Sequence, residues 1–474
     1  MSGAAERTGR GNTPLAVAGL CLGVVLAVVD QTIVGTALPR IAAELGTGAS
    51  AGWVVTAYLL TSTATGVLYG RASDRFGRLP TFLTAVGVFT AASALAGLAE
   101  TLPQLVALRA VQGLGAGGLF SLASIVLAEL FPAERRGRAQ GYLGAIMAVG
   151  SVGGPLAGGV LTDTVGWRWI FYVNVPLGLL AMLFAGVGLR LPRPASVPRV
   201  DAPGSALLAA AVAVLMLAAE WGGREHAWTS PVILGLAAGA VVLLAAFAAW
   251  ERRAPEPVLP PRLLRDRVVR ITYPASMLLG ALLFGGSVFL PMYFQGVLGM
   301  DATRAGLALI PLMLAFVAAS ALSGRTAGAR GPLLLGAAGV TAGFAALYLT
   351  AGSYPPMAAA LALIGAGIGL LMQPLVAMTQ RAVPAPELGT ATSALIALRG
   401  LGGTLGISLF ATIVSLAHTA DYTSAIPRVF LAALPLCAVL FLLLLATPHP
   451  RPGAAPPEPP GGAPAAEAAG GAAR

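Results

Sequence analysis

Hydrophobic and polar residues follow one another along the chain in long blocks. Apolar runs of close to 20 residues recur, and short segments rich in Arg, Pro and Gly separate them. A helix that rises 1.5 Å per residue crosses a bilayer core of about 30 Å in about 20 residues. The pattern therefore predicts fourteen membrane-spanning helices, near residues 15–38, 53–69, 81–99, 103–127, 139–161, 169–189, 204–219, 231–250, 271–294, 305–322, 332–350, 357–379, 390–417 and 428–446.

The composition agrees with a membrane protein. Of the 474 residues, 57% are hydrophobic and only 10% are charged, whereas a soluble domain carries about 25% charged residues. The short alternating segments of a β-barrel are missing from the sequence. Cys21 and Cys437 both lie in apolar runs, which argues against a disulfide framework, and the first run is too long for a cleavable signal peptide. We expect an all-α polytopic membrane protein.

The positions of the arginines predict the orientation. The net charge is +10, and all 29 basic residues are Arg. With the N-terminus inside, 22 of the 29 fall in cytoplasmic segments and 5 in outer loops, as the positive-inside rule requires. This distribution accounts for the basic charge without a nucleic-acid partner. It predicts that both termini are cytoplasmic, and the Arg-only usage with abundant Ala and Gly suggests a bacterial protein of the plasma membrane.

The order of spans divides the chain into two halves. We predict a cytoplasmic tail (1–13), a six-helix bundle (14–190), linkers with a two-helix insertion (191–270), a second six-helix bundle (271–446) and a disordered tail (447–474). The segment 70–78 has a partial copy at 324–331, and the Gly-rich fifth span has a counterpart in the thirteenth. Two related halves fit a rocking transporter with its site between them. The insertion is expected to lie outside both halves and to contact no ligand.

The fifth span is rich in glycine. Gly150, Gly154 and Gly158 are four residues apart, so one helix face is nearly bare and another backbone can approach it. Pro155 removes a backbone hydrogen bond and predicts a bend. We expect the partner helix to come from the other half, although ordinary helix packing is an alternative. The whole pattern resembles the fifth-helix motif of proton-driven drug antiporters in the major facilitator superfamily: Gly141, Gly150, Gly154, Pro155, Gly158 and Gly159.

The segment 70–78 reads Gly-Arg-Ala-Ser-Asp-Arg-Phe-Gly-Arg and closely resembles the signature between the second and third helices of the same superfamily. It predicts a tight cytoplasmic turn in which Asp74 faces a helix N-terminus or an arginine such as Arg138. Such contacts would hold the halves together in the outward-open state, although a simple basic loop is an alternative. We call the predicted set the latch: Gly70, Asp74, Arg75, Gly77, Arg78 and Arg138.

Two opposite charges lie inside the first half. Asp30 is the one carboxylate deep within a predicted span, and Arg109 lies in the fourth span. Counted from the outer helix ends, both are roughly 10 Å below the outer face, so they can pair. An intramembrane carboxylate predicts a functional role, here proton coupling by Asp30 and Arg109; a fixed ion pair that braces two helices is the alternative. The sequences around both residues resemble motifs of the 14-helix drug:proton antiporters.

The other intramembrane charge is Arg399, which either neutralises a carbonyl-rich pocket or binds an anionic ligand. Aromatic, Met and amide side chains suit varied and moderately apolar ligands. For each of them singly, helix packing is an alternative. The predicted cavity residues are Gln31, Trp53, Tyr58, Gln112, Tyr293, Gln295, Met372, Gln373 and Arg399. The stretch 167–176 also resembles the family, and its aromatic residues predict an interfacial anchor.

No catalytic set or metal site is evident, because the three histidines lie outside the predicted spans. The chain has no Lys and no phosphate-binding Gly-x4-Gly-Lys sequence, so ATP is not expected to drive transport. The resemblance implies a monomeric 14-helix antiporter, without cofactor, that exports a small, partly apolar drug or antibiotic in exchange for protons. A proton-coupled importer on the same fold is the alternative; a channel would need a polar pore ring, which the apolar spans lack.

Overall fold

The computed structural model describes residues 12–45, 52–131, 133–189, 201–223, 225–255, 257, 259, 262–300, 302–323, 330–350, 352–384, 387–416 and 422–447. The predicted tails, 1–13 and 447–474, lie almost wholly outside this part of the chain. So do residues 190–200, which make up most of the linker before the insertion.

The described residues form helices joined by short connections. The α-helices are α1 (Thr13–Leu45), α2 (Trp53–Phe76), α3 (Arg78–Ala96), α4 (Leu102–Leu130), α5 (Ala133–Thr164), α6 (Trp169–Tyr172), α7 (Asn174–Gly188), α8 (Ala202–Trp221), α9 (Pro231–Glu251), α10 (Arg267–Gly296), α11 (Ala302–Leu307), α12 (Ile310–Ser323), α13 (Arg330–Leu349), α14 (Tyr354–Ala382), α15 (Leu388–Leu416) and α16 (Tyr422–Leu445). Every predicted span coincides with one of these helices or with a helix pair.

The number of candidate spans is smaller than predicted. In the described residues, 12 helical segments are long and apolar enough to cross a membrane, rather than fourteen. α2 and α5 do not qualify although both are long. Polar Thr and Ser with the charges of its last turn lower the hydropathy of α2, and Gly with an Arg-rich first turn lowers that of α5. The structure therefore supports an all-helical fold with about twelve spans.

Proline interrupts two of the spans. Pro176 has no N–H to donate to the carbonyl four residues earlier, and α6 ends at that residue, Tyr172. Pro311 has the same relation to Leu307, where α11 ends. The first interruption has a consequence for the site, because it places Asn174 at the start of α7.

The two halves repeat the same packing. Within the first half α2 and α3 pack on α4, and within the second α12 and α13 pack on α14. Each half has its own apolar core, one around Phe82 and Phe89 and the other around Phe344 and Phe430. The halves meet along two interfaces, α2 with α15 and α5 with α12. The repeat relates these two interfaces, because α2 of the first half corresponds to α12 of the second and α5 corresponds to α15.

The bare face of α5 packs mainly within its own half, so the expected partner was wrong. A Cβ at Gly150 would lie 2.8 Å from Val28 Cγ1, and a Cβ at Gly154 or Gly158 would lie even closer to the hydroxyl of Thr32 or Thr36 of α1. Gly141 alone of the motif meets the other half, because its Cβ would lie 2.9 Å from the Ser320 carbonyl oxygen of α12. Gly159 has no neighbour within 4 Å. Pro155 lies inside an uninterrupted helix.

The second half repeats this arrangement. In α15, a Cβ at Gly402 would overlap the backbone of Met277, and one at Gly406 would lie 2.5 Å from Ala281 Cα. Both neighbours belong to α10, the first helix of that half. Hence in each half the glycines of the fifth helix bring its backbone against the first helix.

The insertion α8–α9 contacts both halves. Thr56 of α2 donates a hydrogen bond to Glu220 (3.4 Å), and Trp53 packs edge-on to Trp221 with ring centroids 5.8 Å apart. On the other half, Trp228 Nε1 donates to the Thr412 hydroxyl at 2.6 Å. The insertion thus bridges α2 and α15 at one end of their interface, through two hydrogen bonds and one aromatic contact.

Candidate functional site

A buried ion pair lies at the centre of the first half. Arg109 Nη1 of α4 is 2.6 Å from Asp30 Oδ2 of α1, and both side chains are fully buried. The predicted pairing is therefore present in the structure. A buried pair is stable only when its remaining polar atoms also have partners, and most of them do.

Three further side chains complete a polar cluster around Asp30. Gln112 Nε2 and Asn174 Nδ2 donate to Asp30 Oδ1 at 2.9 and 2.8 Å. Both amides also donate to the Ser93 hydroxyl, at 2.7 and 2.9 Å. Gln112 follows Arg109 by three residues, which puts the two on one face of α4. The carboxylate of α1 thus accepts hydrogen bonds from side chains of α4 and α7, and Ser93 of α3 accepts from two of the same donors.

Arg109 connects this cluster to the space between the halves. Its Nε donates to the Val54 carbonyl at 3.0 Å, and its guanidinium lies over the Tyr58 ring, 4.1 Å from the centroid. Nη2 is buried and has no hydrogen-bond partner in the described residues. Tyr58 is the side chain that both stacks on Arg109 and faces the cavity described next.

A cavity of about 200 Å³ lies between the halves. Residues of α1, α2, α4 and α5 line one side, and residues of α10 and α15 line the other. Met216 of the insertion also lines it, which contradicts the expectation that α8 contacts no ligand space. Three predicted cavity residues face it: Gln31, Tyr58 and Arg399.

The other predicted cavity residues have different positions. Gln112 belongs to the Asp30 cluster, and Trp53 packs on the insertion. Tyr293 and Met372 are buried in the apolar core of the second half. The two remaining amides are those of Gln295, which is exposed at the end of α10, and Gln373, which is buried. The position of a span in the sequence does not show which face of its helix lines the cavity and which face packs in the apolar core.

Sequence reasoning missed Asn174 and Ser93 as members of the Asp30 cluster. Asn174 lies in the stretch 167–176, whose aromatic residues predict an interfacial anchor, and Ser93 is one of many small polar residues in the predicted spans. A usable signal existed for Asn174, because an amide two residues before Pro176 lies at a helix break, where backbone polar groups lose their helical partners.

The latch residues lie where α2 meets α15. Arg78 Nη1 is 2.6 Å from Asp74 Oδ1, and Nη2 is 2.7 Å from Glu129 Oε1. Thr390 of the other half donates to Asp74 Oδ2 at 3.4 Å. Burial raises the pKa of Asp74, and the positive charge of Arg78 opposes that rise. Asp74 thus lies between Arg78 and the N-terminus of α15, which favours negative charge.

The predicted turn of the latch is shorter than expected, since α2 continues to Phe76 and Gly77 alone separates it from α3. Gly77 has φ 92°, a conformation that favours glycine. Gly70 lies against the backbone of Gly389, and a Cβ at Gly389 would lie 2.6 Å from Asp74 Oδ1. Arg75 lies over the Phe76 ring. The side chain of Arg138 and residues 324–329 of the second-half copy lie outside the described part.

A second group of polar contacts crosses between the halves. Gln140 Nε2 donates to the Ser124 carbonyl at 2.9 Å and approaches Gln380 Oε1 at 3.5 Å. Gln380 Nε2 in turn donates to the Thr392 hydroxyl at 3.3 Å. All four residues are buried. Buried amides that bond across an interface stabilise the state in which the halves are closed there.

Neutralising Asp74 is expected to weaken the contact between the halves. Asp74→Asn removes the charge that Arg78 and the start of α15 attract, so we expect transport to slow several-fold. A cysteine pair is introduced beside Gly70 and Gly389, in a background without Cys21 and Cys437. We expect this pair to crosslink less in Asp74→Asn than in the protein with Asp74. Glu129→Gln is the matched control, because Glu129 also binds Arg78 but belongs to the first half. Unchanged crosslinking in Asp74→Asn would show that Asp74 does not hold this contact.

Comparison with known protein families agrees with this architecture. The family model described as "Major Facilitator Superfamily" matches residues 20–407. The match covers α1 to most of α15, and so includes the Asp30 cluster, the latch and the cavity.

Several bacterial transporters are similar in sequence. The multidrug transporter protein MdtP of Bacillus subtilis is 33% identical over 406 residues, which are 85% of this chain and 75% of that protein. Multidrug resistance protein 3 of the same species is 34% identical over 410 residues, covering 85% of this chain and 80% of its own length. An uncharacterised transporter from Mycobacterium tuberculosis is 38% identical over 398 residues, and the match spans 58% of that longer protein.

Solved structures show the same fold at low identity. The human organic anion transporter MFSD10 superimposes with a TM-score of 0.67 at 16% identity, over 91% of this chain and 99% of that one. The proton:xylose symporter XylE gives a TM-score of 0.65 at 17% identity, over 92% and 95%. Fold, family model and relatives agree, and this chain belongs to the major facilitator superfamily of membrane transporters, in its drug efflux family.

Proposed function

We propose that this protein is a proton-coupled antiporter that exports a small, partly apolar drug or antibiotic from a bacterial cell by alternating access. The coupling ion is H⁺, and no other cofactor takes part. The protein works as a monomer in the plasma membrane. The names of its relatives, a multidrug transporter and a multidrug resistance protein, support export.

One observation carries the proposal: a carboxylate buried among four helices, one aromatic ring away from a cavity between the halves. Asp30 is fully buried, and Arg109 links it to Tyr58 at the cavity wall. A proton on Asp30 neutralises the carboxylate and weakens its bond to Arg109. The guanidinium is then free to shift against Tyr58, and the cavity wall changes with the protonation state. This is a physical route by which proton binding alters ligand binding.

We further propose fourteen spans, with both termini in the cytoplasm. The 12 candidate spans leave out α2 and α5. These helices of 24 and 32 residues are about 36 and 48 Å long at 1.5 Å per residue, enough to cross a bilayer core. They also form both interfaces between the halves, which places them beside helices that do qualify. The excess of arginine in the segments on one side supports the orientation.

The direction of coupling is the test. A panel of anionic, neutral and cationic drugs is first screened for compounds that a drug-sensitive host tolerates when it expresses the protein. Purified protein in liposomes is then given a pH gradient and one of these compounds. An antiporter accumulates the compound in the acidic compartment, because protons leave as the compound enters, and a protonophore abolishes the accumulation. Accumulation in the less acidic compartment would identify a proton-coupled importer instead. Insensitivity of both resistance and accumulation to the protonophore would refute proton coupling.

A further inference from the structure

Arg399 lies in the middle of α15 and faces the cavity between the halves. The residue is only 4% exposed, and its guanidinium lies over the Phe120 ring, 5.3 Å from the centroid. Its Nη1 is buried and has no hydrogen-bond partner in the described residues. The residues that line the cavity include no Asp or Glu. The positive charge is therefore uncompensated within the described cavity wall.

Arg109, the other buried arginine within the described spans, differs from Arg399 in having a counter-charge. Both guanidiniums are buried at the core of the bundle, but Arg109 has a carboxylate at 2.6 Å and two further hydrogen bonds. Removing a charge from water is unfavourable unless a counter-charge and hydrogen bonds replace the lost solvation. A buried, unpaired cation in a membrane protein points to a ligand or transport pathway. Arg399 has the features of a site whose counter-charge arrives from outside the chain.

The backbone of α15 fixes the position of Arg399. A Cβ at Gly280 of α10 would lie 2.9 Å from the Arg399 carbonyl carbon, and one at Gly403 would lie 2.5 Å from Phe284 Cδ2. The backbone of α15 is thus held closely on α10. The side chain, by contrast, reaches Phe120 of α4, across the cavity. The guanidinium spans the space in which a ligand between the halves would lie.

We propose that the cavity binds amphipathic organic acids, and that Arg399 binds the carboxylate, sulfonate or phosphate of the transported compound. This rests on the proposed export function and names its substrate class. A guanidinium binds such a planar or tetrahedral anion through two parallel hydrogen bonds. The apolar body of the compound packs against the aromatic and Met side chains of the wall: Phe120, Met147, Met216 and Phe284. Gln31 also lines the cavity, and its amide offers the compound a second polar contact.

Binding of three probes that share one fluorophore tests the charge preference. Dansylglycine is an anion, dansylamide is neutral and dansylcadaverine is a cation, and each is titrated into purified full-length protein in detergent. We expect dansylglycine to bind at least tenfold more tightly than dansylcadaverine. Arg399→Gln should bring that ratio close to one, whereas Arg399→Lys should keep most of it, because the charge remains. Arg168→Gln is the matched control: it removes an arginine that binds Glu44 away from the cavity.

The outcomes separate this inference from the proposed function. Equal binding of the three probes, no binding of any, preference for the cation, or an unchanged ratio in Arg399→Gln would each overturn it. Competition by phosphatidylglycerol alone, with no effect of free organic acids, would assign Arg399 to a lipid headgroup and also overturn it. Anion-selective binding without any pH-driven transport would leave the site standing and remove the antiport proposal. Transport that is driven by a pH gradient but restricted to neutral or cationic compounds would support the antiport proposal and overturn the assignment of Arg399 to an anion.

Discussion

Asp30→Asn is expected to abolish transport driven by a pH gradient. The carboxylate accepts hydrogen bonds from Arg109, Gln112 and Asn174, all on other helices. An amide at this position cannot take up and release a proton, so proton flow and compound flow lose their connection. Exchange of compound across the membrane without a gradient should continue, because the neutral amide resembles the protonated carboxyl and every residue that lines the cavity is retained. Proteoliposome flux with and without the gradient measures both activities.

The single variant also leaves Arg109 buried without its counter-charge, at a cost of about 3–5 kcal/mol in stability. A loss of transport in Asp30→Asn could therefore report unfolding rather than uncoupling. The double variant Asp30→Asn with Arg109→Gln removes both charges and serves as the matched control. We expect it to recover most of the thermal stability while its gradient-driven transport stays absent.

These two variants decide between the proton carrier and the fixed brace. If the pair only braces α1 against α4, the double variant should regain gradient-driven transport together with stability. If Asp30 carries the proton, stability returns and transport does not. Undiminished gradient-driven transport in either variant would refute a proton-carrying role for Asp30.

Gly154→Leu is expected to disrupt the first half. A Cβ at Gly154 would overlap the Thr32 hydroxyl and lie 3.0 Å from Thr32 Cβ, so even Ala requires a shift. Overpacking of a well-packed interface costs about 1–3 kcal/mol, and Leu, with four carbons, should reach or exceed the upper value. We expect Ala to lower the melting temperature and transport mildly and Leu to do so severely, as measured on purified protein and in proteoliposomes.

Two controls tie the effect to the contact between α1 and α5. Gly159→Leu adds the same side chain five residues along, where no atom lies within 4 Å of a Cβ, and should be tolerated. Thr32 donates hydrogen bonds to the Val28 and Val29 carbonyls at 3.0 and 3.1 Å, and Thr32→Ala removes the hydroxyl in the way. Adding Thr32→Ala to Gly154→Ala should therefore restore much of the melting temperature and transport that Gly154→Ala loses. If Gly154→Leu is as stable and active as Gly159→Leu, the close packing has no mechanical role.

The sequence by itself determined the location of the helices and the chemical identity of the ion pair. Spans are encoded by local runs of apolar residues, since every backbone polar group in a bilayer core must bond within its own helix. Asp30 and Arg109 were predictable as partners because each is an isolated charge at the same estimated depth. Pro176 and Pro311 likewise act locally, through an N–H that is missing.

Only the tertiary structure decided which faces meet. The glycines of α5 predicted a close neighbour, but a face without side chains can pack against any helix backbone. In the structure α1 packs on most of this face, rather than a helix of the other half. Asn174 reaches Asp30 from 144 residues away, and Met216 of an insertion expected outside the core lines the cavity. Such contacts depend on how helices are rotated and paired, and those choices are made by packing among residues far apart in sequence. The periodicity of any one helix does not contain that information.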